Sequence, residues 1–218
     1  MKEEASIITI DHWVIRYHRP DGNGPFPVLL MLHGLTGDEN SMWVFTPRLP
    51  RNALLIAPRG LHPARPSGYS WHADIQKPWP WVEDFLPSVE SLFEVLSKPN
   101  FPGADLSHLH LVGFSQGAAL AYSMAMVYPE RIASLAGLSG FLPDGAADRL
   151  RPDLLEHLPA FIAHGTHDPQ VPVERARASV ELLQKASASV TYCEDEVGHQ
   201  LSARCFRGME AFYTKLNH

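Results

Sequence analysis

Three residues far apart along the chain have the types and spacing that suit acyl transfer. Ser115 sits in Gly113-Phe114-Ser115-Gln116-Gly117. This Gly-x-Ser-x-Gly turn lies between an apolar, strand-like run over residues 109–112 and a small-residue apolar segment over 118–127, which reads as a helix buried against a sheet. The pattern is that of a nucleophile elbow: a sharp bend lifts the hydroxyl clear of the sheet and pushes the serine into a sparsely populated backbone region, so glycines must flank it. A serine hydroxyl is a weak nucleophile at neutral pH and needs a base within hydrogen-bond reach, and the base needs a group to hold it. Both candidates follow in the order such sites use. Asp168 lies in Gly165-Thr166-His167-Asp168-Pro169, just after an apolar strand, and His199 lies in Val197-Gly198-His199-Gln200, directly before the last helix. In the expected chemistry His199 takes the proton of Ser115 during attack on a carbonyl and returns it to the leaving group. Asp168 fixes the imidazole tautomer and stabilises the imidazolium. Asp144, Asp148 and Asp195 lack the strand-end position, and His164 and His167 precede or adjoin the acid.

The tetrahedral intermediate carries an oxyanion, which calls for two preorganised backbone donors. The expected pair is the N–H of Gln116, directly after the nucleophile, and the N–H of Leu35 in His33-Gly34-Leu35-Thr36-Gly37-Asp38. Gly34 lets that loop come close. A long irregular stretch over residues 61–81 carries Tyr69, Trp71, Trp79 and Trp81, and loops of this length inside a compact domain tend to serve function. It is expected to form a pocket wall through Tyr69 and Trp71, with Trp79 and Trp81 packing against the helix that follows. Phe141 and Leu142 would add a second wall. The twelve histidines show no pair at metal-ligand spacing on a common helix, so no metal is expected.

These groups must be carried to one place. Residues 6–17 read as an entry strand ended by the turn over 20–25, where a hairpin can form. Val28-Leu29-Leu30-Met31-Leu32 is a continuous apolar run of the kind buried on both faces of a parallel sheet. Asp38 or Asn40 then caps a helix that turns Met42, Phe45 and Leu49 inward. Further strands are expected over 53–57, 109–112, 132–139, 159–164 and 190–194. Between and after them come helices with apolar stripes at Val82, Phe85, Val89 and Leu92, at Val173, Ala176, Val180 and Leu183, and at Cys205, Met209 and Phe212. Strands alternating with helices predict a three-layer α/β/α sandwich around a mostly parallel sheet, with ligands bound outside the carboxyl ends of the strands.

Composition excludes several alternatives. With 218 residues the chain is expected to form one domain, 1–218. A net charge of −6 without any Lys/Arg cluster leaves no electrostatic footprint for nucleic acid or an anionic membrane. Met1-Lys2-Glu3-Glu4 lacks the apolar core of a signal peptide, and no stretch approaches the run of about 20 apolar residues that spans a bilayer. A cytoplasmic protein without stable membrane insertion is expected; its oligomeric state is left open. Cys193 and Cys205 are too few for a disulfide scaffold and are expected as buried free thiols.

Taken together, the chain resembles the α/β-hydrolases, and among them the small carboxylesterase and phospholipase family that includes the acyl-protein thioesterases. The motifs that carry the resemblance are Leu32-His33-Gly34-Leu35 with Gly37-Asp38, Ala57-Pro58-Arg59-Gly60, the Gly113–Gly117 elbow, His164-Gly165 with Asp168 and Val171-Pro172, and Gly198-His199. The resemblance implies hydrolysis of carboxylic esters or thioesters of small molecules, without metal or organic cofactor, on a minimal fold lacking a large cap domain. A serine peptidase or amidase, and a binding protein that has kept the fold, are the competing readings.

Overall fold

Side chains on successive strand residues point to opposite faces, and this alternation sets up the three layers. The computed structural model describes residues 5–97 and 99–216; residues 1–4, from which the lack of a leader is read, lie outside the described residues. In chain order the strands are β1 (Ser6–Ile10), β2 (Trp13–His18), β3 (Phe26–Leu32), β4 (Leu54–Pro58), the two-residue β5 (His62–Pro63) and β6 (Tyr69–Ser70), β7 (Ala104–Phe114), β8 (Ile132–Leu138), β9 (Pro159–Gly165) and β10 (Ser189–Asp195). The helices are α1 (Val82–Val95), α2 (Gln116–Val127), α3 (Pro152–Leu155), α4 (Val173–Lys185) and α5 (Ala203–Leu216). One eight-stranded sheet has the order β1-β2-β4-β3-β7-β8-β9-β10. β2 runs antiparallel to β1 and β4, and the remaining pairs are parallel.

The apolar run of β3 splits between two cores. Val28, Leu30 and Leu32 face one, with Phe85, Val89 and Leu92 of α1, the small residues of α2, and Ala176 and Leu183 of α4. Leu29 and Met31 face the other, with Met42, Phe45 and, from α5, Cys205, Met209 and Phe212. Helices therefore cover both faces, and α2, buried around almost its whole circumference, fills the middle. The excursion between β8 and β9 holds only a short 3-10 turn and the four-residue α3, so among the described residues no cap domain covers the strand ends.

Three expectations change. The single entry strand over 6–17 is a hairpin: Ser6 pairs with Tyr17 and Ile10 with Trp13. The turn falls at Asp11, whose φ of 52° is one that Asp tolerates better than most residues. The helix after Asp38 is a 3-10 helix, Ser41–Arg48, with Pro47 inside it. Its N-cap position is Asn40, without a side-chain cap bond, while Asp38 just before it accepts from the N–H groups of Asn40 and Ser41 at 2.9 and 3.1 Å.

The third change concerns the cysteines, which are not free thiols: Cys193 in β10 and Cys205 in α5 form a disulfide, with Cα atoms 5.6 Å apart. The residues between them turn back on themselves, so the end of the edge strand meets the first turns of the helix packed on it. Ring closure of about this size removes about 3 kcal/mol of freedom from the unfolded chain. The ring contains His199.

Candidate active site

Ser115 stands between β7 and α2 with φ 54° and ψ −117°, a conformation costly for any residue with a Cβ and kept only when the surroundings enforce it. Here its N–H donates to the carbonyl of Leu138 on the neighbouring strand at 2.8 Å. A Cβ on Gly113 would strike the backbone of Gly117 and Ala118, and one on Gly117 would strike the carbonyl of Leu32. Both glycines of the motif are thus required by close backbone approach.

His199 reaches Ser115 from the loop after β10. Its Nε2 is 3.0 Å from Ser115 Oγ, and its Nδ1 is 2.7 Å from Asp168 Oδ2. A carboxylate only accepts, so Nδ1–H donates to Asp168, leaving Nε2 as acceptor for the serine hydroxyl. The Asp168 side chain is buried; its other oxygen accepts from the N–H groups of Gln170 and Val171 at 2.8 and 2.9 Å. Those two bonds fix the carboxylate's rotation. The buried His164 donates to the carbonyl of Val171 at 2.8 Å and stands 3.4 Å from Asp168 Oδ2. Burial holds its imidazole below the usual histidine range, so it approaches Asp168 as a neutral donor.

Gln116 opens α2, so its N–H has no intrahelical acceptor and points out at the positive end of the helix dipole. Leu35 is brought beside it by Gly34: a Cβ there would press on Phe114 and Ser115 at 3.2 Å. The loop is pinned at both ends of its turn, with Gly37 N–H donating to the Gly34 carbonyl at 3.0 Å and Thr36 N–H to the Tyr69 carbonyl at 3.0 Å.

The expected pocket aromatics divide differently from the sequence reading. Trp71 is fully buried, and its indole N–H donates to the carbonyl of His33 at 2.7 Å. Its backbone N–H donates to the side chain of Gln116 at 3.1 Å, and its carbonyl accepts from Ser88 at 2.6 Å. Tyr69 is drawn away from the cavity by Arg59, whose guanidinium lies 4.7 Å over the ring and donates to the phenol oxygen at 3.2 Å. Arg59 also grips Glu39 with both ends of its fork, at 2.7 and 2.8 Å. Trp71 and Tyr69 therefore brace the loop that carries Leu35 and do not line the cavity. Leu142 packs on the core and gives its N–H to Ser179. Phe141 does line a cavity of about 210 Å³ beside Ser115, together with Trp79, Ile75 and Val171. Trp79 packs against the core that holds Phe85, Val89 and Leu92 of α1 and also stands edge-on to Phe141 at 5.0 Å under the Arg175 guanidinium, while Trp81 is exposed. Polar partners tens of residues away decide these orientations, and no local spacing signals them. Among the described residues no group of three or more His, Cys, Asp or Glu side chains is placed to hold a metal ion.

His33 stands in the loop motif read from the sequence, where no role attaches to it. Fully buried against Trp71, with ring centroids 4.6 Å apart, it donates from Nδ1 to the Gly34 carbonyl at 2.7 Å and accepts at Nε2 from Gly60 N–H at 2.8 Å. It joins the loops after β3 and β4. Burial lowers its pKa to about 4 from an ordinary value of 6.5. Between these values the unfolded chain binds the proton and the folded chain does not, so stability rises with pH across that window and is lost as pH falls through it. The expected loss from His33 alone is about 3 kcal/mol by pH 4. Urea unfolding midpoints measured from pH 7 to pH 4 check this, since His33→Asn should flatten the dependence; an equally steep curve in the variant would assign the loss to other groups.

The sequence profile of the phospholipase/carboxylesterase family matches residues 21–217. The chain belongs to this family. Among its members, acyl-protein thioesterase 1 of Schizosaccharomyces pombe is 27% identical over 210 residues, covering 84% of this chain and 88% of the relative. A probable carboxylesterase of Oryza sativa subsp. japonica is 28% identical over 130 residues, 58% of this chain. That match spans about half (48%) of the rice protein's length. The solved carboxylesterase of Bacillus cereus superposes with a TM-score of 0.83 at 22% identity, covering 94% of this chain and 95% of the other. The family's α/β-hydrolase fold is thereby shared over nearly the full length.

Proposed function

We propose that the protein is a serine hydrolase, folded as one domain over 1–218, that cleaves carboxylic esters of small molecules and takes thioesters as a second class. The observation that carries this reading is the continuous line of short hydrogen bonds from Asp168 through His199 to Ser115, ending at the N-terminus of α2. Ser115 Oγ attacks the carbonyl carbon as its proton passes to His199 Nε2. Asp168 holds the resulting imidazolium, and the N–H groups of Leu35 and Gln116 receive the oxyanion. Collapse expels the alcohol or thiol with the proton from Nε2. Water then repeats the sequence on the acyl-enzyme, releasing the acid and restoring Ser115. The acyl group fits the cavity lined by Phe141 and Trp79, which opens directly on Ser115.

Intact-mass analysis after treatment with a fluorophosphonate probe, paired with turnover of short p-nitrophenyl esters, tests the reading. One adduct mapped to Ser115 together with turnover is expected. An adduct without ester turnover points to a peptidase or amidase, and no adduct at all to a protein that only binds.

We further propose a cytoplasmic location, supported by the lack, among the described residues, of any helix long and apolar enough to cross a membrane. The Cys193–Cys205 disulfide stands against it, because the cytoplasm keeps thiols reduced. Alkylation at the moment of lysis decides between them: two alkylated cysteines support the cytoplasm, and none supports an oxidising compartment.

A further inference from the structure

A second and larger cavity, of about 510 Å³, is lined by Phe114 and Gln200, the chain neighbours of Ser115 and His199. It shares Leu35 with the first, and its other walls come from the same loop over 34–37, from the 3-10 helix over Ser41–Arg48, from Phe114, and from Gln200, Leu201 and Phe206 in the stretch after His199. Phe114 packs on the His199 ring, with centroids 5.0 Å apart, and Phe45 stacks on Phe206 at 5.4 Å. No lining residue among those described is charged. Five large hydrophobic side chains are left exposed among the described residues, and two of them, Leu35 and Val44, stand on its rim; exposed apolar surface at a cavity mouth is a mark of ligand binding.

Catalytic geometry assigns the two cavities different halves of an ester. With the carbonyl oxygen between the Leu35 and Gln116 N–H groups, the acyl chain and the alcohol leave the carbonyl carbon in different directions. The alcohol oxygen must lie toward His199, because Nε2 returns the proton to it when the carbon–oxygen bond breaks. The large cavity is walled by the residues that follow His199 and by the ring packed on it. No residue of the 197–206 stretch is among the described residues lining the small one.

We propose that the large cavity is the leaving-group site and takes a bulky apolar alcohol, aromatic or branched, so that the preferred substrates are short-acyl esters of such alcohols. This rests on the ester-hydrolase reading and adds to it the substrate class. The volumes agree: the large cavity falls in the range of about 300–1,000 Å³ usual for drug-sized ligands and the small one below it. A highly charged leaving group would find no counter-charge there. In the acylation step the Ser115 Oγ–carbon bond forms and the carbon–alcohol bond breaks, with the serine proton carried by Nε2 to the departing alcohol oxygen.

Two ester series test the proposal: acetates of methyl, benzyl and 2-naphthylmethyl alcohol, and ethyl esters from acetate to dodecanoate. They are run on the wild type and on Val44→Asp and Val44→Trp, both at an exposed position that leaves the core untouched. Wild-type kcat/KM should rise at least tenfold from the methyl to the naphthylmethyl acetate and fall along the acyl series. Each variant should shrink the naphthylmethyl-to-methyl ratio by about tenfold, the first by introducing a charge and the second by filling space. A flat alcohol series in an enzyme that does hydrolyse esters overturns the proposal and leaves the ester-hydrolase reading intact. A variant effect confined to the acyl series overturns it by making the large cavity the acyl site. No hydrolysis of any ester, with no fluorophosphonate adduct, overturns the underlying reading as well.

Discussion

Ser115→Ala is expected to lower kcat for a short p-nitrophenyl ester by about a million-fold, leaving only the weak catalysis that two amide donors and substrate positioning supply without a nucleophile. Alanine keeps a Cβ at φ 54°, so it neither relieves nor adds backbone strain, and the fold should persist with an unchanged circular dichroism spectrum. His199→Ala should cost about as much, because Oγ without a base at 3.0 Å is an ordinary hydroxyl. The double variant should be no worse than either single one, since the two groups act as a unit. Rates compared at saturating substrate check all three. Turnover in purified Ser115→Ala within a hundredfold of wild type would remove Ser115 from the chemistry.

Asp168→Asn is expected to lower kcat by about 10⁴-fold with little change in KM or in thermal midpoint. The cause is an inverted tautomer. The N–H groups of Gln170 and Val171, both donors aimed at Oδ1, oblige the asparagine to keep its amide oxygen there. That turns the NH₂ toward His199 Nδ1, which must then accept. The imidazole proton moves to Nε2, and the nitrogen facing Ser115 Oγ can no longer take its proton. The fluorophosphonate labelling rate should fall in parallel with turnover, a change a purely structural defect would not reproduce at constant midpoint. Labelling at the wild-type rate would show that Asp168 does not set the tautomer.

Much of the site is legible because its residues hang on strands that betray themselves. The apolar runs ending at Leu32, Phe114 and Gly165 must be buried on both faces, so the loops after them must converge at one edge of the sheet. With Gly113 and Gly117 bracketing Ser115, the order Ser115, Asp168, His199 is legible in the sequence itself. The hairpin at Asp11 was less legible, since a polar pair in an otherwise apolar run signals an exposed strand position as well as a turn.

What the chain alone determined, then, is the alternation of buried strands and helices and the succession of chemistry-bearing residues at the strand ends, because both follow from periodicity and from the backbone freedom of particular glycines. Tertiary structure alone decided the side-chain directions in the long loop and the pairing of the cysteines. Trp71 faces the core because Gln116, Ser88 and the His33 carbonyl, up to 45 positions away, satisfy its polar groups, and Tyr69 is turned aside by Arg59. The two cysteines bond because an edge strand and the helix packed on it bring them together. Partners of this kind are set by packing in space and leave no local pattern in the sequence.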